Sequence, residues 1–176
     1  MNPQKINLRD KIYDVPDFPK KGIVFRDLTP LLLDPKYFKE AIRQMLEKVK
    51  NLKIDVICGI DSRGFLFGPV LADRLNIGFV PVRKINKLLP RKTVEQKYAL
   101  EYGSDGVKIH SDSVKPGQRV LIVDDLLATG GTAKAACQLV EKLGGKVIAL
   151  FFLSELTYLK SRTKLKKYKI ISLIKY

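Results

Sequence analysis

The sequence predicts an α/β fold, a doubly wound and mainly parallel sheet with helices on both faces. Two observations predict it. Runs of continuous apolar residues recur along the chain, and stretches with helical periodicity separate them. Strands that are apolar throughout are typical of parallel sheets covered on both faces, and the helices between them supply the crossover connections.

The first long helix is predicted to begin at Pro35. Asp34 is a typical N-cap residue, and a proline fits the first helical turn because no N–H group is required of it there. Apolar residues then recur at helical spacing, at Phe38, Ile42, Leu46 and Val49. This pattern predicts a helix with one buried face.

Strands and helices alternate after this helix. The predicted order is a strand at 54–60, a helix at 64–75, strands at 78–83 and 119–125, a helix, and strands at 146–154 and 169–174. Pro69 falls near the start of the first of these helices, where it leaves the first turn undetermined. The second has an apolar stripe, and Gly144 and Gly145 are typical of its end.

Composition favours one folded domain. With 176 residues, 45% of them hydrophobic, the chain can bury one sizeable core, and we expect a single domain over residues 1–176. The polar N-terminus does not resemble a signal peptide, and the longest apolar run, 147–153, is too short to span a bilayer. Cys58 and Cys137 lie in apolar segments, which favours a reducing, cytoplasmic location.

Polar loops follow three of the predicted strands. They are "DSRG" at 61–64, "RK" at 83–84 and "DDLLATGGT" at 124–132. In doubly wound sheets, ligands bind beyond the carboxyl ends of the strands. We therefore expect the three loops to meet around one ligand.

The segment "ATGGT" (128–132) predicts an anion site. Gly130 and Gly131 allow a tight turn with positive φ, and the N–H groups of the following helix point at the loop. The spacing matches neither a Walker A loop nor a dinucleotide fingerprint. A plain turn before a helix is the alternative interpretation, and the two acids immediately upstream argue against it.

Asp124 and Asp125 come directly before this loop. Two adjacent carboxylates repel each other and a phosphate unless some group separates them, and the vicinal hydroxyls of a sugar can donate to both. The spacing from these acids to the loop fits a ribose 5-phosphate. We therefore interpret the strand end as a ribose site and the loop as the site of its phosphate.

These residues resemble the type I phosphoribosyltransferases. "VLIVDDLLATGGT" (120–132) is similar to the phosphoribosyl-pyrophosphate motif of that family. Four further segments, at 16–35, 59–69, 81–84 and 100–103, resemble its adenine-specific members in order and nearly in spacing. The resemblance implies purine salvage, in which adenine and 5-phosphoribosyl-1-pyrophosphate give AMP and pyrophosphate. It further implies magnesium as cofactor and a homodimer.

The resemblance also implies roles in phosphate and pyrophosphate binding. The loop residues that would hold the 5′-phosphate are Ala128, Thr129, Gly130, Gly131 and Thr132. Those that would hold the pyrophosphate are Asp61, Ser62, Arg63, Arg83, Lys84 and Lys87, with a non-proline cis peptide expected between Asp61 and Ser62. Magnesium would be held by substrate phosphates and water rather than by a set of protein ligands.

By the same resemblance the base has its own segments. A base-binding segment of about 1–34 precedes a core of about 35–176, and a flap of about 84–110 covers the site. The residues that would contact the base are Val24, Phe25, Arg26 and Leu126, and Tyr102 would also bind substrate. The residues expected to be catalytic are Glu101, Arg63, Asp124 and Asp125, with Glu101 managing the proton of the adenine ring. The flap departs from the family pattern, because "RKINKLLP" has Asn86 at a glycine position and one extra residue before Pro90.

The net charge of +15 leaves other functions open. It is compatible with nucleic acid, a membrane surface or anionic substrates as partners. We expect no specific nucleic acid and no membrane, because the basic tail 158–176 suits a solvated face and the basic residues of 83–97 belong to the implied substrate site. The alternatives are a sister transferase for hypoxanthine, guanine or orotate, and a regulatory nucleic-acid-binding protein on the same fold. A passive structural protein leaves the three polar loops unexplained.

Overall fold

The computed structural model describes residues 6–99 and 104–176. They divide into two units, one within residues 1–47 and one within 48–176. The first unit contains an antiparallel pair of short strands, β1 (Tyr13–Val15) and β2 (Phe25–Asp27), followed by the short helix α1 (Thr29–Leu33). The long helix α2 (Pro35–Val49) begins in this unit.

The predicted start of α2 is confirmed. The Asp34 carboxylate accepts hydrogen bonds from the backbone N–H groups of Lys36 (3.0 Å) and Tyr37 (3.4 Å), as an N-cap residue does. Along the predicted apolar stripe, Ile42 and Val49 are buried. The cap and the stripe together define this helix.

The second unit is built on a seven-stranded sheet in the order β5-β6-β4-β3-β7-β8-β9. Its strands are β3 (Val56–Ile60), β4 (Gly78–Lys84), β5 (Thr93–Ala99), β6 (Ser104–His110), β7 (Arg119–Leu127), β8 (Lys146–Glu155) and β9 (Ile170–Lys175). The run from β4 to β9 is parallel, whereas β5 and β6 form a hairpin that pairs antiparallel with β4. The predicted α/β class with a mainly parallel sheet is confirmed.

Two helices connect the parallel strands. Helix α3 (Gly68–Leu75) links β3 to β4, and α4 (Gly131–Lys142) links β7 to β8. The two connections step away from the central β3–β7 pair in opposite directions, and right-handed crossovers then place the helices on opposite faces of the sheet. The carboxyl ends of β3 and β7 therefore form the switch point where doubly wound folds bind ligands.

Several predicted boundaries differ from those observed by one or two residues or more, and two of these differences have a clear physical reason. The helix expected at 64–75 is divided into a 3-10 turn at Arg63–Leu66 and α3, because the fixed φ and missing N–H of Pro69 suit the first turn of a new helix. The strand expected to end at residue 125 continues to Leu127, because β8 is long enough to pair with it there.

The core of the second unit lies between the sheet and its helices. Both cysteines, Cys58 on β3 and Cys137 on α4, are buried within it and carry free thiols. Gly144 has a φ of +81°, which fits its predicted place at the end of α4. Of the helices in the ranges that the structure describes, none is long and apolar enough to cross a membrane.

Candidate active site

An open pocket lies at the carboxyl end of β7. The space in and at the mouth of this pocket, open solvent included, is about 320 Å³. The residues around it are Asp124, Leu126, Leu127, Ala128, Thr129, Gly130, Gly131, Thr132, Ala133 and Phe152. Every residue that the sequence assigned to the phosphate loop lines this pocket.

The loop turns at Gly130 directly into α4. Gly130 has a φ of +79°, in the left-handed region that glycine tolerates without strain, and it occupies the N-cap position of the helix. The first N–H groups of a helix have no intrahelical acceptor and carry its positive dipole end. The turn therefore directs backbone donors into the pocket, an arrangement suited to a phosphate.

The segment after β8 supports this turn from behind. A Cβ atom at Gly130 would lie 3.3 Å from the Cβ of Ser161 and 3.4 Å from the Cδ1 of Leu165. Both of those residues are buried. A larger residue at position 130 would displace this support as well as strain the backbone.

The two acids ahead of the loop have different surroundings. Asp125 is 4% exposed, and its Oδ2 lies 2.7 Å from the Nε of Arg63, which comes from the loop after β3. Asp124 lines the pocket, and its Oδ1 accepts a hydrogen bond of 2.9 Å from the backbone N–H of Asp125. Burial, and then repulsion from the Asp125 carboxylate, raise the pKa of Asp124 well above its usual range. A ligand that donates hydrogen bonds to Asp124 would stabilise its charged form.

Gly64 brings the two loops into contact. A Cβ atom at this position would lie 2.5 Å from the carbonyl oxygen of Val123 and 3.4 Å from Oδ1 of Asp124. Only glycine therefore lets the loop after β3 approach the acid pair so closely. Sequence reasoning did not single out Gly64, although it belongs to the "DSRG" segment.

The loop after β3 also contacts the end of β4. Its peptide bond between Asp61 and Ser62 is cis, as the family resemblance implied. The Asp61 carboxylate is nearly inaccessible, and it lies 3.5 Å from Nε of Arg83 and 3.4 Å from the backbone N–H of Lys84. The Arg83 Nε also donates to the carbonyl oxygen of Lys87 at 3.2 Å. The three predicted polar loops thus meet at one edge of the sheet.

A hydrogen-bonded cluster joins Lys84 to the phosphate loop. The Lys84 ammonium donates to the hydroxyl of Tyr98 at 2.7 Å and pairs with the carboxylate of Asp105. The Tyr98 hydroxyl also accepts a 3.0 Å hydrogen bond from the Thr132 hydroxyl. Burial acts to lower the pKa of Lys84, but the hydrogen bonds that its ammonium donates to Asp105 and Tyr98 outweigh burial and raise that pKa. Tyr98 and Asp105 were not predicted, because each lies on the hairpin far along the chain from its partners.

The remaining predicted site residues lie in the first unit, in a 3-10 turn, or outside the described residues. Val24, Phe25 and Arg26 lie in the first unit, where the Phe25 ring contacts Phe18 edge-on and the Arg26 guanidinium lies 2.6 Å from the Asp14 carboxylate. The positions predicted for Glu101 and Tyr102 fall outside the described residues. Lys87 is exposed in a 3-10 turn. Their assigned roles stay predictions.

The carboxylate oxygens of the acid pair are of the ligand type that magnesium prefers. Over residues 6–99 and 104–176, no group of three or more His, Cys, Asp or Glu side chains is arranged to hold an ion. Asp125 is already paired with Arg63. Magnesium readily keeps several waters and binds substrate phosphates, so oxygens on a substrate could supply most of its ligands.

A family model and individual relatives point to the same protein family. The family model described as "Phosphoribosyl transferase domain" matches residues 32–175. An adenine phosphoribosyltransferase from Thermotoga petrophila is 55% identical over 171 residues, which cover 97% of this chain and all of that protein. The similarity therefore extends over nearly the full length of both chains.

Solved structures agree in fold. The crystal structure of adenine phosphoribosyltransferase from Thermoanaerobacter pseudethanolicus superimposes with a TM-score of 0.93 at 54% identity, covering 96% of this chain and 98% of that one. The Saccharomyces cerevisiae enzyme, solved with an imino-altritol bisphosphate and adenine, gives a TM-score of 0.87 at 42% identity. That match covers 93% of this chain and 94% of the yeast chain.

Proposed function

This chain belongs to the family of phosphoribosyl transferase domains, and we propose that it converts adenine and 5-phosphoribosyl-1-pyrophosphate to AMP and pyrophosphate. The observation that carries this proposal is the Arg63–Asp125 ion pair, which joins the loop after β3 to the acid pair beside the phosphate loop. A sugar bearing a phosphate at one end and a pyrophosphate at the other needs both loops at once. Relatives that share 55% of the sequence carry the name adenine phosphoribosyltransferase.

The phosphate loop and the acid pair hold the sugar. The 5′-phosphate accepts hydrogen bonds from backbone N–H groups at the start of α4, next to Gly130 and Gly131. The ribose hydroxyls donate to Asp124 and Asp125. Because positive charge develops on the ribose as the leaving group departs, these fixed carboxylates stabilise the transition state more than the ground state.

Basic residues receive the leaving group. In the reaction the bond from the anomeric carbon to pyrophosphate breaks, a bond to N9 of adenine forms, and N9 loses its proton. Arg63, Arg83, Lys84 and Lys87 offset the negative charge that grows on the pyrophosphate. Magnesium bound to the substrate phosphates supplies further positive charge there.

Separate segments hold the base. We infer that Val24, Phe25 and Arg26 contact adenine and that Leu126, half-buried at the pocket, packs on its face. Glu101 takes up the proton of the adenine ring, and Tyr102 beside it contacts substrate. We infer that the base-binding segment of about 1–34, the core and the flap of about 84–110 form one functional domain.

The same family membership underlies three broader proposals. The protein functions in the cytoplasm, requires magnesium and forms a homodimer. The free buried thiols of Cys58 and Cys137 are compatible with a reducing compartment.

A panel of bases tests the proposed function. We expect AMP to form from adenine, magnesium and 5-phosphoribosyl-1-pyrophosphate at least about tenfold more efficiently than nucleotides form from hypoxanthine or guanine. A site that accepts the 6-amino group leaves polar groups unpaired when a 6-oxo purine binds. Chromatography of the products measures each kcat/KM. Equal or better use of hypoxanthine would assign the chain to a sister transferase.

A further inference from the structure

The Lys84 ammonium is already engaged by the protein itself. Its Nζ pairs with the Asp105 carboxylate and donates to the Tyr98 hydroxyl at 2.7 Å. The Tyr98 hydroxyl donates in turn to Asp105 at 3.0 Å. The backbone N–H of Gly106 also donates to this carboxylate, at 2.7 Å. Three hydrogen bonds therefore converge on Asp105, and one of them comes from the cation that we assign to substrate binding.

This carboxylate lies close to the phosphate loop. The Tyr98 hydroxyl accepts from the Thr132 hydroxyl at 3.0 Å, so Tyr98 links Lys84 to the first turn of α4 by hydrogen bonds. A Cβ atom at Gly131 would lie 3.3 Å from the Tyr98 ring, which shows that the ring rests on the loop backbone. The ring thereby fixes the ammonium and Asp105 beside the site.

We propose that Asp105 is an affinity-determining residue of the transferase site, a built-in carboxylate that holds Lys84 until the pyrophosphate of the substrate replaces it. The inference rests on the proposed function, since it assigns Lys84 to pyrophosphate. A lysine has one positive charge. While the Asp105 carboxylate is paired with it, the Lys84 ammonium contributes less binding free energy to a second anion. Substrate binding is then an exchange of anions at Lys84.

The exposure of the pair makes such an exchange feasible. The side chains of Lys84 and Asp105 are 33% and 35% exposed, so both can be rehydrated when they separate. The flexible four-carbon stem of lysine can redirect the ammonium while the Tyr98 ring stays on Gly131. A fully buried pair would not separate so readily, because each charge would lose its compensation.

The test is the affinity of the Asp105→Asn variant for anions. We expect its Kd for inorganic pyrophosphate and for 5-phosphoribosyl-1-pyrophosphate, measured by calorimetry with magnesium at about 0.15 M salt, to fall about three- to fivefold, the scale of a partly exposed ion pair. Asp73→Asn on α3 is the matched control, because it removes one exposed carboxylate elsewhere in the chain. That control should change Kd less than about twofold.

A double-mutant cycle tests whether Asp105 acts through Lys84. In a Lys84→Met background the Asp105→Asn change should no longer tighten binding, since the ammonium it releases is absent. Unchanged or weaker binding by Asp105→Asn alone, or equal tightening in both backgrounds, would overturn the inference. A parent protein that binds pyrophosphate but forms no AMP would instead overturn the proposed function, and the cycle would still decide the role of Asp105.

Discussion

At Asp124, the negative charge that substrate binding uses lowers the stability of the fold. Its carboxyl group is partly buried at the pocket beside Asp125, and both conditions disfavour the charged form and raise its pKa. The unfolded chain ionises this group near its ordinary value of 3.8. Between that value and the raised pKa the folded state binds more protons than the unfolded state, so stability falls as pH rises through this interval.

Asp124→Asn should therefore stabilise the protein and impair catalysis. The amide oxygen can still accept from the Asp125 N–H, while the charge is removed. At pH 7 we expect a gain of about 1 kcal/mol, or roughly 2–4 °C in Tm, with kcat/KM lower by about 10–100-fold because a charged hydrogen bond to the ribose is lost. Calorimetric scans and steady-state kinetics measure both.

The pH dependence provides the control for Asp124→Asn. Below pH 3.8 the parent and the variant carry the same charge at this position, so their Tm values should converge. A lower Tm for the variant at pH 7 would show that the ionised carboxylate stabilises the fold, contrary to this expectation.

At the scale of elements, the segment after β8 is attached to the sheet by one buried acid. The Glu155 side chain is 1% exposed and receives two hydrogen bonds from the Arg162 guanidinium, at 2.6 and 2.7 Å. The Ser172 hydroxyl on β9 adds a third at 2.6 Å. Ser161 and Leu165, which support Gly130, flank Arg162. The ion pair therefore helps to position the phosphate loop.

Glu155→Gln should destabilise the protein in a pH-dependent way. The hydrogen bonds from Arg162, acting against burial, lower the pKa of Glu155 below its ordinary value of 4.5. The stabilisation is present above pH 4.5 and is lost as pH falls through the lowered pKa. Because Arg162 is half-exposed, we expect a loss of about 1–2 kcal/mol at pH 7, or roughly 3–6 °C in Tm.

A more exposed ion pair serves as the comparison for Glu155. Asp112 and Arg91 are 64% and 58% exposed, so Asp112→Asn should change Tm by less than about 2 °C. Thermal scans at pH 7 and at pH 3 should show a gap between parent and Glu155→Gln that narrows in acid. A Tm difference that does not change with pH would mean that Glu155→Gln acts through side-chain shape rather than through charge.

Most of the long elements could be predicted from sequence because their signals are local, although the seven-residue strands β5 and β6 were not among the predicted strands. The apolar runs at 56–60 and 120–123 are continuous, and Asp34 marks the start of α2. The strands β1 and β2 were not predicted, because three residues are too few to show an alternating pattern. Their pairing depends on tertiary contacts that no short window of sequence contains.

The candidate site shows the same difference between residues with local sequence signals and residues that depend on tertiary contacts. Asp124, Asp125 and Gly130 belong to one continuous segment, so their relation to a phosphate could be inferred from spacing. Tyr98 and Asp105 reach Lys84 and Thr132 only because the hairpin packs against α4. Gly64 is needed because β7 passes within 2.5 Å of its missing Cβ, a distance set by the fold.

At the scale of the whole molecule, the chain carries more positive charge than the proposed substrate site uses. The chain has 33 Lys and Arg residues against 18 Asp and Glu. Many of the excess lysines lie in the segment after β8, where Lys160, Lys164, Lys166 and Lys169 are exposed. Exposed cations of this kind attract any polyanion over the distance of a Debye length, which is about 8 Å at physiological salt.

We therefore expect nucleic acid to bind weakly and without sequence preference. Between 50 and 200 mM salt, fluorescence anisotropy with a labelled DNA duplex should show affinity falling at least about tenfold, because neutralised phosphates release counterions. Replacing Lys164, Lys166 and Lys169 by Gln should weaken DNA binding and reduce the salt slope, with AMP formation within about twofold of the parent. These residues lie outside the proposed substrate site, so the variant separates the two activities. A salt-resistant complex that prefers one sequence at least about a hundredfold would instead support a regulatory nucleic-acid-binding function, since surface charge alone does not read bases.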